Sequence, residues 1–382
     1  GPSGGTRRAC RTCGGRPRSA PVGHAGSAVM ADLSHAVQPT VAAIYAAWSA
    51  TGNRDKGRRA HLGASILGRE CRRALWYSFR WATDLEHDGR LLRLFDRGQR
   101  EEERFAADLR AVGVTVHTVD PATGEQFRFS DIGGHVGGSM DAAAIGMLER
   151  PTVWHVVEMK THGEKSFADL VKRGVEASKP EHYAQMQLYM HWSGMNRAFY
   201  MAVNKNTDEL YTERVRYDEK IVRLLLDTAQ TVVNSLVPLD RISEKPDWYV
   251  CKFCDHRATC HQGKPAAVTC RSCVHSTPEM DGHGSWSCAR HGVRLTTEAQ
   301  HKGCSDHLYI PQLLPFGEPV DASGEENWIE YEHAGRRFRN GKPGPGCYAS
   351  TELAALDPAL INEENVAMLR EKMGGIIVRS VT

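Results

Sequence analysis

Three short segments carry side chains able to act together on a phosphodiester: Gly137-Gly138-Ser139-Met140-Asp141, Val156-Val157-Glu158-Met159-Lys160 and Gln185-Met186-Gln187-Leu188-Tyr189. Side chains alternate across a β-strand, so Glu158 and Lys160 project to one side while Val157 and Met159 face the other. A carboxylate and an ammonium on one face need a partner. A magnesium or manganese ion held by Asp141 and Glu158, with Met159 counted in the same set, supplies it, because hard cations take carboxylate and carbonyl oxygens and keep waters for a substrate phosphate. The ion acidifies a water and neutralises the phosphorane, and Lys160 positions that water or offsets the developing charge. Gln185 and Tyr189, four residues apart, share a helix face from which they orient Lys160 or touch a nucleic-acid backbone. Alone, the Glu-x-Lys triplet reads more simply as an ion pair on an edge strand; the three segments in this order favour chemistry.

The elements that must position these groups are legible. Helical patterns cover Pro39 to Trp48 and Arg69 to Leu109. Val112 to Val119, Gln126 to Phe129, Ala142 to Ile145 and Val153 to Met159 read as strands, with Gly133, Gly134, Gly137 and Gly138 turning between them. Pro180 to His191 is helical, Ala198 to Asn204 and Leu210 to Arg216 form a hairpin, and Asp218 to Leu236 is a long amphipathic helix. Asp357-Pro358 caps a helix running to Met373, which Gly374-Gly375 ends. The expected fold is an α/β core with flanking helices.

Gly138-x-x-Asp141, Glu158-x-Lys160 and Gln185-x-x-x-Tyr189 resemble the RecB-type branch of the PD-(D/E)XK nuclease superfamily, in particular its iron-sulfur exonucleases, including CRISPR-associated ones and the AddB nuclease domain. The resemblance spans roughly Leu62 to Gln262 and implies a restriction-endonuclease-like core. Many relatives add a metal-ligating histidine on an upstream helix. Phe95 to Glu103 has no histidine here, and Glu102 sits where that ligand is expected; a carboxylate suits magnesium equally well.

The chain has 11 cysteines. Cys71, Cys251, Cys254 and Cys260 form one tetrad. Four thiolates hold either an iron-sulfur cluster or zinc, and spacing does not choose; the resemblance implies a 4Fe-4S cluster that staples the two ends of the catalytic domain. Cys270-x-x-Cys273 with Cys288 and Cys304 has the two-plus-two character of a zinc module, in which His275, His283, His291, His301 or His307 could replace a cysteine. The module is expected to present DNA or a partner, and to be removable from about Pro265 without loss of cutting on short substrates. Cys10, Cys13 and Cys347 remain over.

Thiolate metal sites argue against secretion. No segment reaches the ~20 apolar residues that cross a bilayer, so the expectation is a soluble cytoplasmic protein. At 382 residues, 41% of them hydrophobic, the chain accommodates a core of ~200 residues with satellites. The net charge of +2 confines any nucleic-acid surface to local runs: Arg54, Lys56, Arg58 and Arg59; Arg69, Arg72 and Arg73; Arg90, Arg93, Arg97 and Arg100. Gly335 to Lys342 interleaves Phe338 with basic residues, as single-strand binders and mobile loops both do. The organisation expected is a disordered or expression-derived segment over 1–29, with Gly1-Pro2 resembling a protease scar and Met30 a natural start, a nuclease domain over 30–264, a zinc module over 265–310 and an extension over 311–382. The resemblance further implies a DNA exonuclease on single-stranded ends in recombination or repair, of a kind that phages encode beside an annealing protein; a structure-specific endonuclease and a DNA-binding scaffold on the same fold are the alternatives.

Overall fold

The structure is a computed structural model in which residues 39–53 and 57–378 are described. The expectations for 1–29, for Cys10 and Cys13, and for Arg54 and Lys56 lie outside those residues. The chain divides into two units, Gly1–Ala42 and Ala43–Thr382; the contacts below belong to the second.

In chain order the first half contains α1 (Pro39–Gly52), β1 (Leu62–Gly63), α2 (Ala64–Leu67), α3 (Arg72–Phe79), α4 (Gly89–Ala111), β2 (Thr115–His117), β3 (Arg128–Asp131), β4 (Val136–Ser139), β5 (Ala142–Ile145), β6 (His155–His162), α5 (Glu164–Ser178) and α6 (Pro180–Ser193). The second half contains β7 (Arg197–Asn204), β8 (Leu210–Arg216), α7 (Glu219–Asn234), α8 (Tyr249–Lys252), α9 (Arg257–His261), β9 (Ser276–Pro278), β10 (Trp286–Cys288), β11 (Val293–Leu295), α10 (Thr297–His301), β12 (Glu318–Ser323), β13 (Trp328–His333), β14 (Arg336–Asn340), β15 (Cys347–Tyr348), α11 (Ser350–Ala355) and α12 (Glu364–Met373).

The central sheet has the order β2-β5-β6-β7-β8. Its parallel pair is β6 with β7, in register from Val156 opposite Ala198 to His162 opposite Asn204, and the crossover that a parallel pair requires is α5 and α6. Strand β6 is buried on both faces over His155 to Met159 although only Val156, Val157 and Met159 are apolar, so its charged residues sit inside the fold. Val157 and Met159 pack with Phe105, Ala106 and Leu109 of α4, while Val156 packs with Met186, Leu188 and Tyr200 on the other face.

Two glycine pairs do different work. Gly133 and Gly134 turn the chain at φ 66° and 90°, as expected. Gly137 and Gly138, expected in a turn, are instead in β4, which pairs with β1 and β3. They are glycines because a Cβ at Gly137 would stand 2.3 Å from the Phe129 carbonyl oxygen, and one at Gly138 2.7 Å from the Tyr189 hydroxyl.

The helix expected over Arg69 to Leu109 is two helices. The break holds Trp81 at φ 51°, and α4 starts afresh where Asp88 accepts a hydrogen bond from the Leu91 amide at 2.7 Å. Helix α5 and the sheet β12-β13-β14-β15 were not foreseen. Within that sheet Phe338 is 1% exposed and stacked on Tyr331 and Phe316. Gly335 to Lys342 is therefore a core strand with its turn, neither a mobile loop nor a stacking platform. Asp357 caps only a single turn, Pro358–Leu360; the helix ending at Met373 begins anew at Glu364.

The segment after Pro265 is built into the same core, contrary to the expectation that it is removable. Trp286, Leu308, Tyr309 and Leu313 pack with residues of α3. Arg271 donates to the carbonyls of Phe79 (3.2 Å) and Ala60 (2.8 Å) and lies over Trp81 at 3.8 Å. The Gly284 amide donates to the Gly133 carbonyl at 2.9 Å, and a Cβ on Gly134 would come within 2.2 Å of the Gly284 nitrogen. Among the described residues no helix is long and apolar enough to cross a membrane.

Candidate active site

Asp141, Glu158, Lys160 and Glu102 meet at the sheet. The turn from β4 into β5 brings Asp141 beside β6, where its Oδ2 accepts a hydrogen bond from the Met159 amide at 3.0 Å. Glu158, fully buried, forms an ion pair with Lys160; the same ammonium stands 3.7 Å from Asp141 Oδ2 and donates to the Met159 carbonyl at 3.2 Å. Apart from Lys160, neither oxygen of Glu158 has a hydrogen-bond partner. Glu102, on α4, is close enough for its charge to act on both Glu158 and Lys160.

The electrostatics follow from three acids around one base in a largely buried place, with Glu158 inaccessible and the other three partly buried. Burial pushes Glu158 up to about 8, against the pull of Lys160 and with the push of Asp141. Burial, then the charge of Asp141, raises Glu102 to about 7. Burial disfavours the Lys160 ammonium, but Glu158, Asp141 and Glu102 outweigh it and hold the group above the ordinary lysine value. The two partners of the pair therefore shift in the same direction, because desolvation dominates at the acid and neighbouring charge at the base. Unmatched carboxylate oxygens and a backbone carbonyl are the donor set that a hard divalent cation takes.

Gln185 and Tyr189 share a face of α6, as expected, but they serve the backbone. Gln185 donates to the Tyr189 hydroxyl at 3.4 Å, and the hydroxyl donates to the Ser139 carbonyl at 2.7 Å, fixing the end of β4 two residues before Asp141. Both side chains are buried, at 6% and 2% exposure, so neither presents a surface to DNA. Sequence inspection missed a neighbouring cluster. His162 follows Lys160 on the same face of β6, and Tyr200 is the β7 residue opposite Glu158; the Tyr200 hydroxyl lies 2.8 Å from His162 Nε2 and 2.9 Å from His182 Nδ1. Burial, with Lys179 and Lys160 nearby, lowers His162 to about 4, and burial, then Lys160, lowers His182 to about 3. The two neutral imidazoles leave Lys160 as the cation of this face. The signal was the period of two, which extends Glu158-x-Lys160 to His162.

The cysteines gather around two hollows. Among the described residues no group of three or more His, Cys, Asp or Glu stands closed as a metal site, yet Cys71, Cys251, Cys254 and Cys260 all line one hollow, and Cys270, Cys273, Cys288 and Cys304 all line the other. The first encloses about 20 Å³, room for one ion. The second encloses about 280 Å³. Burial raises the Cys251 and Cys254 thiols, and each is pushed further by Cys71 and Cys260. Burial, with neighbouring thiolates, raises Cys270 to about 11 and Cys273 to about 12. Such groups become thiolates only beside a cation, so the donor chemistry fits a metal in both hollows.

Histidine alternatives at the second hollow narrow to His275 and His291. His275 is oriented by Asn327 through Nε2 at 2.7 Å, which leaves Nδ1 for a metal, whereas His307 uses both ring nitrogens, on Ser350 and on Thr269. His283 and His301 do not line the hollow, whereas His291 does, 3.7 Å from Cys304 Sγ.

No family model and no curated protein matches the chain. The chain is distantly similar in structure to an alkaline exonuclease, LHK-Exo from Laribacter hongkongensis, at 16% identity and a TM-score of 0.34 over 49% of this chain and 90% of that one; a structure of LHK-Exo in complex with dAMP matches equally. A phage-related exonuclease from Haemophilus somnus 129PT is similar at 14% identity and a TM-score of 0.24, over 36% of this chain and 69% of that one.

Proposed function

We propose that the chain is a divalent-metal-dependent deoxyribonuclease that hydrolyses phosphodiesters from single-stranded DNA ends, in recombination or repair and beside an annealing protein. The observation that carries this reading is Glu158: a fully buried carboxylate whose oxygens have no partner but Lys160, ringed by two further acids. A buried ion pair kept only for structure matches its remaining lone pairs, since an unmatched one costs about 1–3 kcal/mol.

Asp141, Glu158, the Met159 carbonyl and Glu102 are the groups that hold magnesium or manganese, which when bound supplies Lewis acidity at the phosphate. Lys160 keeps its proton and offsets negative charge that develops on the phosphate oxygens. Tyr189 holds the Ser139 carbonyl and with it the approach to Asp141. The first cysteine set holds a 4Fe-4S cluster or a zinc ion that ties Cys71 to the chain after α7; the second holds a structural zinc through four protein ligands, leaving no position for a reactive water.

Incubation with end-labelled linear and with circular single-stranded DNA in magnesium or manganese tests the reading. Ladders from ends alone support an exonuclease, cut circles point to an endonuclease, and intact DNA with a gel shift leaves a binding protein. Iron and zinc counts on protein purified without oxygen assign the hollows: two zinc ions and no iron would remove the cluster.

A further inference from the structure

A groove of about 470 Å³ is lined among others by Arg58, Arg59, His61, Arg69, Trp81 and Phe95, the last on α4, the helix that also carries Glu102. Two of its arginines are already used: Arg58 pairs with Asp84, and Arg69 stands within 3.8 Å of both Glu181 and Asp255. Arg59 is exposed, and among the described residues no carboxylate lies within ion-pair reach of it; its one side-chain bond is to the Ser65 hydroxyl at 3.4 Å. Trp81 is the buried floor. Phe95 is 47% exposed and steadied edge-on by His87 at 5.3 Å, which Asn53 holds through two backbone hydrogen bonds.

Phe95 and Glu102 are seven residues apart on α4 and so share its face, about 10 Å apart along the axis at ~1.5 Å per residue. Between them on that face is Gly98. Glycine weakens a helix interior relative to alanine, and packing does not require it here, since a Cβ at Gly98 meets no atom within 4 Å. A glycine that no protein neighbour demands, between an exposed aromatic and a catalytic acid, leaves the helix backbone open to close approach by a ligand.

Resting on the nuclease reading above, we infer that the groove and the bare face of α4 seat the strand being cut. A base beyond the scissile phosphate stacks on Phe95, a phosphate meets Arg59, and the backbone crosses Gly98 to reach Glu102. At the ~3.4 Å rise per nucleotide of one B-DNA strand, the 10 Å path spans at most about three nucleotides. The ligand is a single strand, because a base must be unstacked to lie on an aromatic ring.

Fluorescence anisotropy without divalent metal, with labelled oligothymidylates of three and ten nucleotides, reads binding apart from cutting. The wild type should prefer the ten-mer. Phe95→Ala should remove at least about tenfold of that preference, Phe95→Trp should restore it and Phe95→Leu should not. Gly98→Leu should weaken the ten-mer at least tenfold while Tm does not fall. Arg59→Gln should reduce the slope of log K against log salt by about 0.7. A length preference unchanged in both Phe95→Ala and Gly98→Leu overturns the groove. If such a protein still cuts DNA from its ends, the nuclease reading survives that result; if the wild type cuts nothing yet both variants lose the preference, the groove stands and the nuclease reading falls. A wild type that binds neither oligonucleotide removes the groove, and removes the nuclease reading as well only if it also cuts no DNA.

Discussion

Glu158 and Arg271 are both charged, both nearly inaccessible to water, and opposite in what surrounds them. Among the described residues Arg271 has no carboxylate partner, yet its nitrogens donate to Gln300, Phe79 and Ala60, and its plane lies over Trp81 and Trp286. Burial, then the nearby Arg80, lowers its pKa, but each of its three nitrogens has an acceptor. Glu158 has its countercharge in hand and still leaves its oxygens unmatched. Burial of charge therefore does not by itself mark a functional site. Matched on every side it makes a joint between chain segments; left incomplete it makes a place for something that arrives from outside.

The largest effect that sharpens this contrast lies at the incomplete site. Asp141→Ala, Glu158→Ala and Lys160→Ala should each lower kcat by at least ~10²-fold with the circular dichroism spectrum unchanged, because a preorganised charge is lost. Wild-type turnover in any one would break the assignment. Arg271→Met should do the reverse: it leaves carbonyl acceptors and two indole faces without their partner, and should cost about 3 kcal/mol or more, read as a lower urea midpoint, with cutting per folded molecule retained at low temperature. An unchanged midpoint would show that the joint carries no load.

The smallest effect is in pH. Glu158 and Glu102 titrate above the ordinary glutamate value, at about 8 and 7, so the folded state holds protons that the unfolded state has released. Their contribution to stability is fully present below about pH 4.5 and is lost as pH rises through 7 and 8. The lowered histidines His162 and His182 work oppositely, but only below about pH 6.5. Between pH 6.5 and 8 the metal-free protein should therefore lose Tm, and added magnesium should raise Tm more at pH 8 than at 6.5, since binding must displace those protons. A magnesium effect independent of pH would place the ion elsewhere.

What was legible in the sequence was whatever a local period encodes. Strands Ala142–Ile145 and Leu210–Arg216 have the expected limits, and the alternation through β6 separates Glu158 and Lys160 from Val157 and Met159 as expected. The failures share a physical cause, which is that the deciding contact comes from a paired strand or another segment and not from the local period. Gly137 and Gly138 read as turn residues because nothing nearby reveals the Phe129 carbonyl and the Tyr189 hydroxyl that exclude a side chain. The break after α3 depends on packing around Trp81 by Arg271, almost two hundred residues later. Phe338 among arginines reads as a binding segment until Tyr331 and Phe316 close over it. Cysteine spacing grouped the tetrads around their hollows, whereas only tertiary contacts with Ser350 and Thr269 withdraw His307 from the donor set.

The backbone clasp between Gly133-Gly134 and Gly284 sets an order of assembly during translation. The turn it holds leads into β4 and so to Asp141, and its other half emerges from the ribosome on the order of ten seconds later, at ~5–20 residues per second. A nascent chain that already carries Glu102, Asp141, Glu158 and Lys160 still lacks the clasp that pins β4.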